Sequence, residues 1–254
     1  MGDIFDTHSH YNDSAFDSDR DELLSSLFDG ALCVAVNQGT DIPSSEWGIE
    51  YSRKYKGMYA AVGLHPECLS KNSFDDLEII KKLALSPKVV AIGEIGLDYY
   101  YDIPRDLQKE IFIRQLELAA ELSLPVNIHD REAHGDTLDI LRRYRPKGIL
   151  HCFSGSAEMA VEAVRLGMYL GFGGVVTFRN ARKTVEAARA VPLENIVLET
   201  DCPYLSPEPN RGKRNDSSNI IFTAQKLAEI KGLSTEEILK VTKSNSERVY
   251  NVSI

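Results

Sequence analysis

Short apolar runs alternate with amphipathic stretches along the whole 254-residue chain. Short apolar runs are typical of buried parallel strands, whereas apolar residues at spacings of three and four are typical of helices. Strand-and-helix units of this kind follow one another without a linker or a break in composition. The pattern predicts an α/β fold, a (β/α)8 TIM barrel that forms a single domain over residues 1–254. A doubly wound sheet is disfavoured because no glycine-rich dinucleotide loop follows the first apolar run.

The predicted strands are the short apolar runs Ile4–His8, Leu32–Asn37, Met58–Leu64, Val89–Glu94, Val126–His129, Gly148–His151, Met168–Phe172 and Ile196–Glu199. The predicted helices lie between and after them, at Arg20–Phe28, Phe74–Leu85, Leu107–Leu122, Thr137–Tyr144, Ala157–Leu166, Ala181–Ala190, Asn219–Ile230 and Thr235–Tyr250. A weaker helical pattern covers Glu46–Tyr55. Ser234 and Glu237 form a capping-box signal for the last helix.

All six histidines lie at or just beyond the carboxyl ends of predicted strands. They are His8, His10, His65, His129, His134 and His151. Two acids, Glu94 and Asp201, occupy the same position on other strands. In a parallel barrel these strand ends meet on one face, where the active site lies. Imidazoles and carboxylates gathered there predict a divalent-metal centre.

Strand periodicity assigns some of these side chains to a common face. Residues two apart on a strand point to the same side, so Asp6, His8 and His10 are expected to face the barrel mouth together. The same argument pairs Glu199 with Asp201. The residue that follows a ligand should point away from the metal, which places Cys152 and Cys202 on the opposite side.

Composition restricts the class of protein. The four cysteines are far apart and form no CxxC pair, so we expect reduced thiols and a cytoplasmic location. The net charge of −9 excludes nucleic-acid binding through overall positive charge, and any such binding needs a local basic rim. No apolar run approaches the ~20 residues that a membrane span needs. Nothing marks an obligate protein partner, so a monomer is expected.

Six segments of the chain carry distinctive motifs in a fixed order. They are Asp6–His10, Gly63–Pro66, Gly93–Tyr99, Ile128–Ala133, His151–Gly155 and Glu199–Pro203. Together they resemble the signatures of TatD-family metal-dependent hydrolases, which include TatD-type deoxyribonucleases. The resemblance implies an amidohydrolase-like barrel and two divalent cations, Mg²⁺, Mn²⁺ or Zn²⁺. The chain departs from the family at Ser9, where Cys is commoner, and at Asp216–Ser218.

The resemblance also implies two metal sites that share one carboxylate. The first ion would be held by His8, His10, Glu94 and Asp201. The second would be held by Glu94, His129 and His151, so that Glu94 bridges the two. Water attacks phosphorus in the mechanism that we hypothesise, and Asp201 accepts its proton. Glu199 either supports Asp201 or a metal-bound water, or pairs with a Lys or Arg.

Further polar residues near the strand ends are candidate substrate contacts. They are His65, Asp98, Tyr99, Arg131, His134 and Arg214. Arginine forms forked hydrogen bonds with phosphate oxygens, which favours Arg131 as a phosphate contact. Residues Tyr99–Tyr101 are expected either to stack on a base or to pack within their loop. Two basic clusters, Arg179–Lys183 and Arg211–Arg214, are expected at the barrel mouth, where they would suit a polyanion.

These features predict a divalent-metal-dependent hydrolase of ester bonds, with DNA as its substrate. The resemblance suggests a 3′-5′ exonuclease that acts on single strands. An esterase or amidohydrolase acting on a small molecule or an aminoacyl-tRNA remains an alternative, as does a non-catalytic metal-binding scaffold. Four imidazoles favour Zn²⁺, Mn²⁺, Co²⁺ or Ni²⁺, whereas Mg²⁺, which many nucleases use, prefers oxygen ligands.

Overall fold

A computed structural model describes residues 2–253. Eight parallel strands form one sheet in sequential order. The strands are β1 (Ile4–Ser9), β2 (Leu32–Gln38), β3 (Met58–Val62), β4 (Val89–Asp98), β5 (Val126–Arg131), β6 (Gly148–Leu150), β7 (Met168–Phe172) and β8 (Ile196–Leu198). The helices are α1 (Arg20–Asp29), α2 (Ile42–Lys54), α3 (Ser73–Leu83), α4 (Arg105–Leu122), α5 (His134–Tyr144), α6 (Ala157–Arg165), α7 (Arg182–Ala190), α8 (Ile220–Lys231) and α9 (Thr235–Tyr250). The predicted (β/α)8 barrel is confirmed, because a doubly wound sheet would reverse its strand order at the switch point.

The ring of strands closes between β1 and β8 through contacts at their carboxyl ends. Ser9 and Cys202 form an isolated parallel bridge. The His10 N–H donates to the Cys202 carbonyl at 2.9 Å, and the Asp201 N–H donates to the His8 carbonyl at 2.9 Å. The closure therefore holds Asp201 beside the two histidines of the first motif.

Two elements differ from their predicted bounds in ways that concern the mouth. Strand β4 continues past Glu94 to Asp98, and the added residues pair with the end of β5. Gly96 allows this close approach, because its φ is 142° and an added Cβ would lie 2.0 Å from the His129 carbonyl oxygen. Helix α2 begins at Ile42 rather than at the predicted Glu46, since Asp41 caps it by accepting from the Ser44 N–H at 2.8 Å.

The barrel interior is apolar below the mouth. A buried cluster inside the ring includes Phe5, Val34, Ile149 and Val197, and Tyr250 of α9 joins it. A larger cluster packs the strands against the surrounding helices. No helix between residues 2 and 253 combines the length and the apolar character that crossing a lipid bilayer requires.

Tyr250 connects the last helix to the strands that carry the mouth. Its ring stacks on Phe5 with centroids 6.0 Å apart. Its hydroxyl donates to the Thr7 carbonyl at 2.8 Å and accepts from the Asn127 side-chain amide at 3.0 Å. One side chain thus packs inside the barrel and bonds to both β1 and β5.

We expect Tyr250→Ala to lower the free energy of unfolding by about 3–5 kcal/mol, because it leaves a cavity in a packed interior. Tyr250→Phe keeps the ring and should cost about 1 kcal/mol for the lost hydroxyl bonds. Urea denaturation followed by circular dichroism measures both. Equal losses in the two variants would contradict a packing role for the ring.

Candidate metal centre

Glu94 lies on β4, and one of its carboxylate oxygens faces the histidines of the first motif. Its Oε2 lies 3.2 Å from His8 Nε2 and 3.4 Å from His10 Nε2. Asp201 approaches the same two rings, with Oδ1 3.6 Å from His8 Nε2 and 3.4 Å from His10 Nε2. The predicted first ligand group therefore comes together in the structure.

The other carboxylate oxygen of Glu94 faces a different set of imidazoles. Its Oε1 lies 2.9 Å from His129 Nδ1 and 3.0 Å from His151 Nε2. His65 is a third neighbour, with Nε2 at 3.5 Å. The two oxygens of one buried carboxylate thus divide five histidines into two groups.

The imidazole nitrogens converge in a way that suits bound cations. His8 Nε2 and His10 Nε2 are 3.1 Å apart, and His129 Nδ1 and His151 Nε2 are 3.3 Å apart. Two such nitrogens cannot both carry a proton toward each other without strong repulsion, whereas a shared cation would accept both lone pairs. Nitrogen donors combined with carboxylate oxygens form the ligand chemistry of divalent transition metals. The residues present therefore fit a divalent-metal centre.

His8 and His129 each contact a polar side chain through the ring nitrogen that faces away from Glu94. His8 Nδ1 lies 3.4 Å from the Asn127 side-chain oxygen, and His129 Nε2 lies 2.9 Å from Asp98 Oδ2. Such partners fix the ring orientation and leave the other nitrogen free for a metal. Asp98 lines the cavity but is only 1% exposed, and it also accepts from the Tyr100 N–H at 2.9 Å. Its position supports orientation of His129 rather than the predicted contact with substrate.

Glu199 stands behind His151. Its Oε1 lies 3.6 Å from His151 Nδ1 and accepts from the Cys152 N–H. Of the predicted side-chain partners it approaches neither Asp201 nor a lysine or arginine, and instead it groups with His8 and His151, so support of a metal-bound water stays a prediction. Gly171 makes room for it, since an added Cβ there would lie 2.2 Å from Glu199 Oε2.

Asp6 does not share the face of His8, contrary to the prediction from alternation. The pairing of β1 with β2 shifts register between Asp6 and Ser9, which changes the phase of the strand. Its carboxylate accepts from the Thr200 hydroxyl at 2.6 Å and the Ser217 hydroxyl at 2.7 Å. Burial raises the pKa of Asp6 to about 7 although these hydrogen bonds oppose the shift.

Charge and burial compete strongly in the cluster. Burial by itself raises the pKa of Glu94, but the imidazoles, chiefly His151 and His8, hold this pKa well below its usual range. Burial likewise lowers the pKa of His10, but the carboxylates of Asp201 and Glu94 outweigh it and raise the pKa to about 10. The site therefore maintains ionised carboxylates that attract positive charge.

A cavity of about 770 Å³ opens above this cluster. Its wall includes His65 and Arg131, and Arg131 is the one lysine or arginine in the wall within the described chain. Cys152 also lines it, contrary to the prediction, because its φ of 42° breaks the alternation. Burial raises the pKa of the Cys152 thiol well above its usual range, which leaves it a poor nucleophile. Two tyrosines that the sequence did not single out individually, Tyr101 and Tyr204, complete part of the wall.

Three candidate substrate contacts lie outside the cavity wall, and each has another partner. The Tyr99 hydroxyl donates to Asp136 Oδ2. Arg214 pairs with Asp19 through bonds of 2.6 and 2.7 Å. These contacts hold the loops around the mouth in place.

The third of these residues, His134, begins helix α5. Its Nδ1 lies 2.8 Å from Asp130 Oδ2. The two basic clusters also stay out of the described wall, and Arg211 lies over the ring of Phe178 at 4.1 Å. Fewer basic residues therefore line the cavity than the sequence predicted.

Comparison with known proteins agrees with this architecture. The model of the family described as TatD related DNase matches residues 5–251. An uncharacterized metal-dependent hydrolase of Bacillus subtilis, YabD, is 41% identical over 98% of this chain and 100% of its own length. A 3'-5' ssDNA/RNA exonuclease of Escherichia coli, TatD, is 30% identical over 98% of this chain and 100% of its own length. The crystal structure of YjjV, a TatD homologue of Escherichia coli, covers 99% of both chains with a TM-score of 0.91 and 30% identity.

Fold and site together define a barrel hydrolase whose chemistry depends on metal ions. The chain belongs to the TatD family of metal-dependent hydrolases. The prediction of an enzyme that hydrolyses ester bonds is confirmed by this membership.

We expect Asp98→Asn to weaken metal affinity by roughly 10- to 100-fold, because His129 loses the carboxylate that orients it. Titration calorimetry of metal-stripped protein with Mn²⁺ measures the change. Asp102→Asn, at an exposed acid in the loop that follows β4, is the matched control. An unchanged dissociation constant in Asp98→Asn would contradict the orienting role.

Proposed function

We propose that this enzyme hydrolyses phosphodiester bonds of nucleic acid, with DNA as its substrate and two divalent cations as cofactors. The observation that carries the proposal is the division of five histidines between the two oxygens of Glu94. One carboxylate between two nitrogen-rich groups suits a pair of cations, and paired cations suit phosphodiester hydrolysis. The proposed ligands are His8, His10, Glu94, His129, His151 and Asp201.

The cavity above the cluster supports an anionic substrate. Arg131 offers a guanidinium in its wall, and the buried cluster lies at its base. Relatives named as 3'-5' ssDNA/RNA exonucleases share about a third of the sequence over nearly the whole chain, at 31% and 30% identity. By similarity to them we extend the proposal to a 3′-5′ exonuclease on single strands.

Bound divalent cations would lower the pKa of water and neutralise charge on the phosphate. Asp201 is placed to accept the proton of the attacking water. Both acids line the cavity, but the Asp201 side chain is more accessible, at 17% exposed against 5% for Glu94. Burial raises the pKa of Asp201, but the contact with His10 and the charges of nearby imidazoles outweigh burial and lower it. Asp201 is therefore an ionised carboxylate at neutral pH.

His65 is a proposed donor to a phosphate oxygen. Its Nδ1 accepts from the Glu67 N–H at 3.2 Å, which places the ring proton on Nε2. Burial lowers the pKa of His65 to about 3, so the ring is neutral at pH 7. Its Nε2–H, at the cavity wall and 3.5 Å from Glu94 Oε1, is therefore a hydrogen-bond donor, and in this tautomer Nε2 does not bind a metal.

The metal requirement is tested with metal-stripped protein and a 3′-labelled single-stranded DNA oligomer. Mn²⁺, Mg²⁺ and Zn²⁺ are added back separately, and we expect at least one to restore cleavage. Glu94→Ala should abolish cleavage at every metal concentration, because both ligand groups lose a shared carboxylate. Glu110→Ala, an exposed acid on α4, controls for the substitution itself.

The products distinguish the outcomes of this experiment. Immediate release of the labelled terminal nucleotide supports the 3′-5′ direction, whereas a ladder of shortening labelled strands indicates degradation from the 5′ end. A protein that instead binds metal, cleaves no oligomer and turns over a carboxyl ester or an aminoacyl-tRNA would support the alternative of an esterase or amidohydrolase. Bound metal without turnover of any ester would support the alternative of a non-catalytic metal-binding scaffold.

We expect His65→Ala to lower kcat/KM on the same oligomer by roughly 10- to 150-fold, the loss of one hydrogen bond to a charged oxygen. Metal content should stay the same, because His65 donates from Nε2 and binds no metal. His65→Gln keeps a donor and should recover part of the rate. Loss of bound metal in His65→Ala would instead place this histidine among the ligands.

A further inference from the structure

Two tyrosines face each other across the cavity. Tyr101 follows strand β4 and Tyr204 follows strand β8, and both line the cavity. The ring contains eight strands in the order β1 to β8, so β4 and β8 stand on opposite sides. A chain that crosses the mouth above Glu94 therefore passes one tyrosine on each side of the metal centre.

Exposed apolar surface is concentrated in these two loops. Eight large hydrophobic side chains are exposed in the described part of the protein. Four of them belong to the two loops, namely Tyr100, Tyr101, Tyr204 and Leu205. Tyr101 is 37% exposed and Tyr204 is 54% exposed. Aromatic rings exposed around a concave site, with few elsewhere, indicate a binding surface.

The Tyr204 loop is held firmly. The Tyr204 hydroxyl donates to Asp13 Oδ2 at 2.7 Å, and its carbonyl accepts from the Asn215 side-chain amide at 2.8 Å. The bond with Asp13 raises the pKa of Tyr204 to about 12, so the hydroxyl remains protonated. The next residue, Leu205, has a φ of 52°, which is unusual for a bulky side chain. Such strained residues persist where the surrounding structure fixes a functional loop.

The Tyr101 side combines aromatic rings with a positive charge. Arg131 lies 3.9 Å from the centre of the Tyr100 ring and 5.8 Å from that of Tyr101. The two rings meet edge to face with centroids 5.2 Å apart. The Tyr100 N–H is bound to Asp98, the partner of His129, so this loop is tied to the metal centre. A ring beside a guanidinium matches a nucleotide, which presents a flat base next to a phosphate.

We propose that Tyr101 and Tyr204 each stack on an unpaired nucleobase, one on either side of the bond that is cleaved. Every base has a flat face, so this binding is tolerant of sequence. A duplex keeps its bases stacked on each other and cannot offer these faces without unpairing. The two tyrosines thus select single-stranded nucleic acid. This inference rests on the proposed nuclease function and assigns its strand selectivity to two residues.

The test measures stacking and cleavage separately. A single-stranded DNA oligomer carrying 2-aminopurine is titrated with the Asp201→Asn chain and Mn²⁺, which slows turnover during binding. Stacking on a tyrosine quenches the fluorescent base. We expect Tyr101→Ala and Tyr204→Ala, each added to that chain, to reduce the quench and to raise Kd by roughly five- to 150-fold. Tyr101→Phe keeps the ring and should restore both signals, and Tyr204→Phe, which keeps the ring but loses the bond with Asp13, should restore most of each.

An oligomer with abasic sites is the matched substrate control. Its affinity should be weaker at the outset and should not respond to either alanine substitution, because it has no base to stack. An equal loss of affinity for the abasic and the normal oligomer would overturn the stacking role, as would an unchanged Kd for both. Failure of the starting chain to bind any oligomer would overturn it as well.

Cleavage by the unsubstituted enzyme distinguishes this inference from the proposed function. Cleavage without any tyrosine effect on binding keeps the nuclease and removes the stacking site. Quenching that depends on both tyrosines, with no cleavage under any metal, keeps the nucleic-acid site and removes phosphodiester hydrolysis.

Discussion

The attraction between one buried carboxylate and the imidazoles around it is the constraint on which the molecule depends. Glu94 is 3% exposed, and burying an unpaired carboxylate costs several kcal/mol. The histidines that compensate this cost come from distant parts of the chain, so only the closed ring of strands brings them together. The same burial that is costly for the folded chain makes the site strongly attractive to a cation. The surrounding imidazoles therefore stabilise the ionised carboxylate that a cation would bind.

Orientation comes from a second layer of polar groups. Asn127 contacts His8 Nδ1, and Asp98 contacts His129 Nε2. These contacts direct the other nitrogen of each ring toward Glu94. Asp98 lies near the tyrosines through its bond with the Tyr100 N–H. Asp98, which orients His129, thus also holds part of the cavity wall. Precise ligand geometry and a rigid wall follow from the same hydrogen bonds.

Most of the architecture was predictable from the sequence, because the hydrophobic period determines it. Strand ends indicated which histidines and acids gather at the mouth, while the choice of proposed ligands among them came from the resemblance to the TatD family. The predicted direction of a side chain was wrong where the backbone departs from regular strand geometry. Asp6 precedes a register shift, and Cys152 has a positive φ, so neither obeys alternation. Periodicity also says nothing about loop side chains: Tyr99 pairs with Asp136 on helix α5 and Arg214 pairs with Asp19, contacts that no local pattern encodes. The three-dimensional arrangement alone shows that Tyr101 and Tyr204 oppose each other.

The bond between Tyr250 and Thr7 has a consequence for how the protein is made. The two residues are 243 positions apart, and Thr7 immediately precedes His8, a proposed ligand. Tyr250 also supports Asn127, which orients His8. A ribosome must therefore synthesise the chain as far as α9 before the earliest histidine is fully buttressed, although amino-terminal segments emerge first. The candidate metal centre would thus be completed late in biosynthesis, and a chain truncated before its last helix would carry all six proposed ligands without the support that α9 gives them.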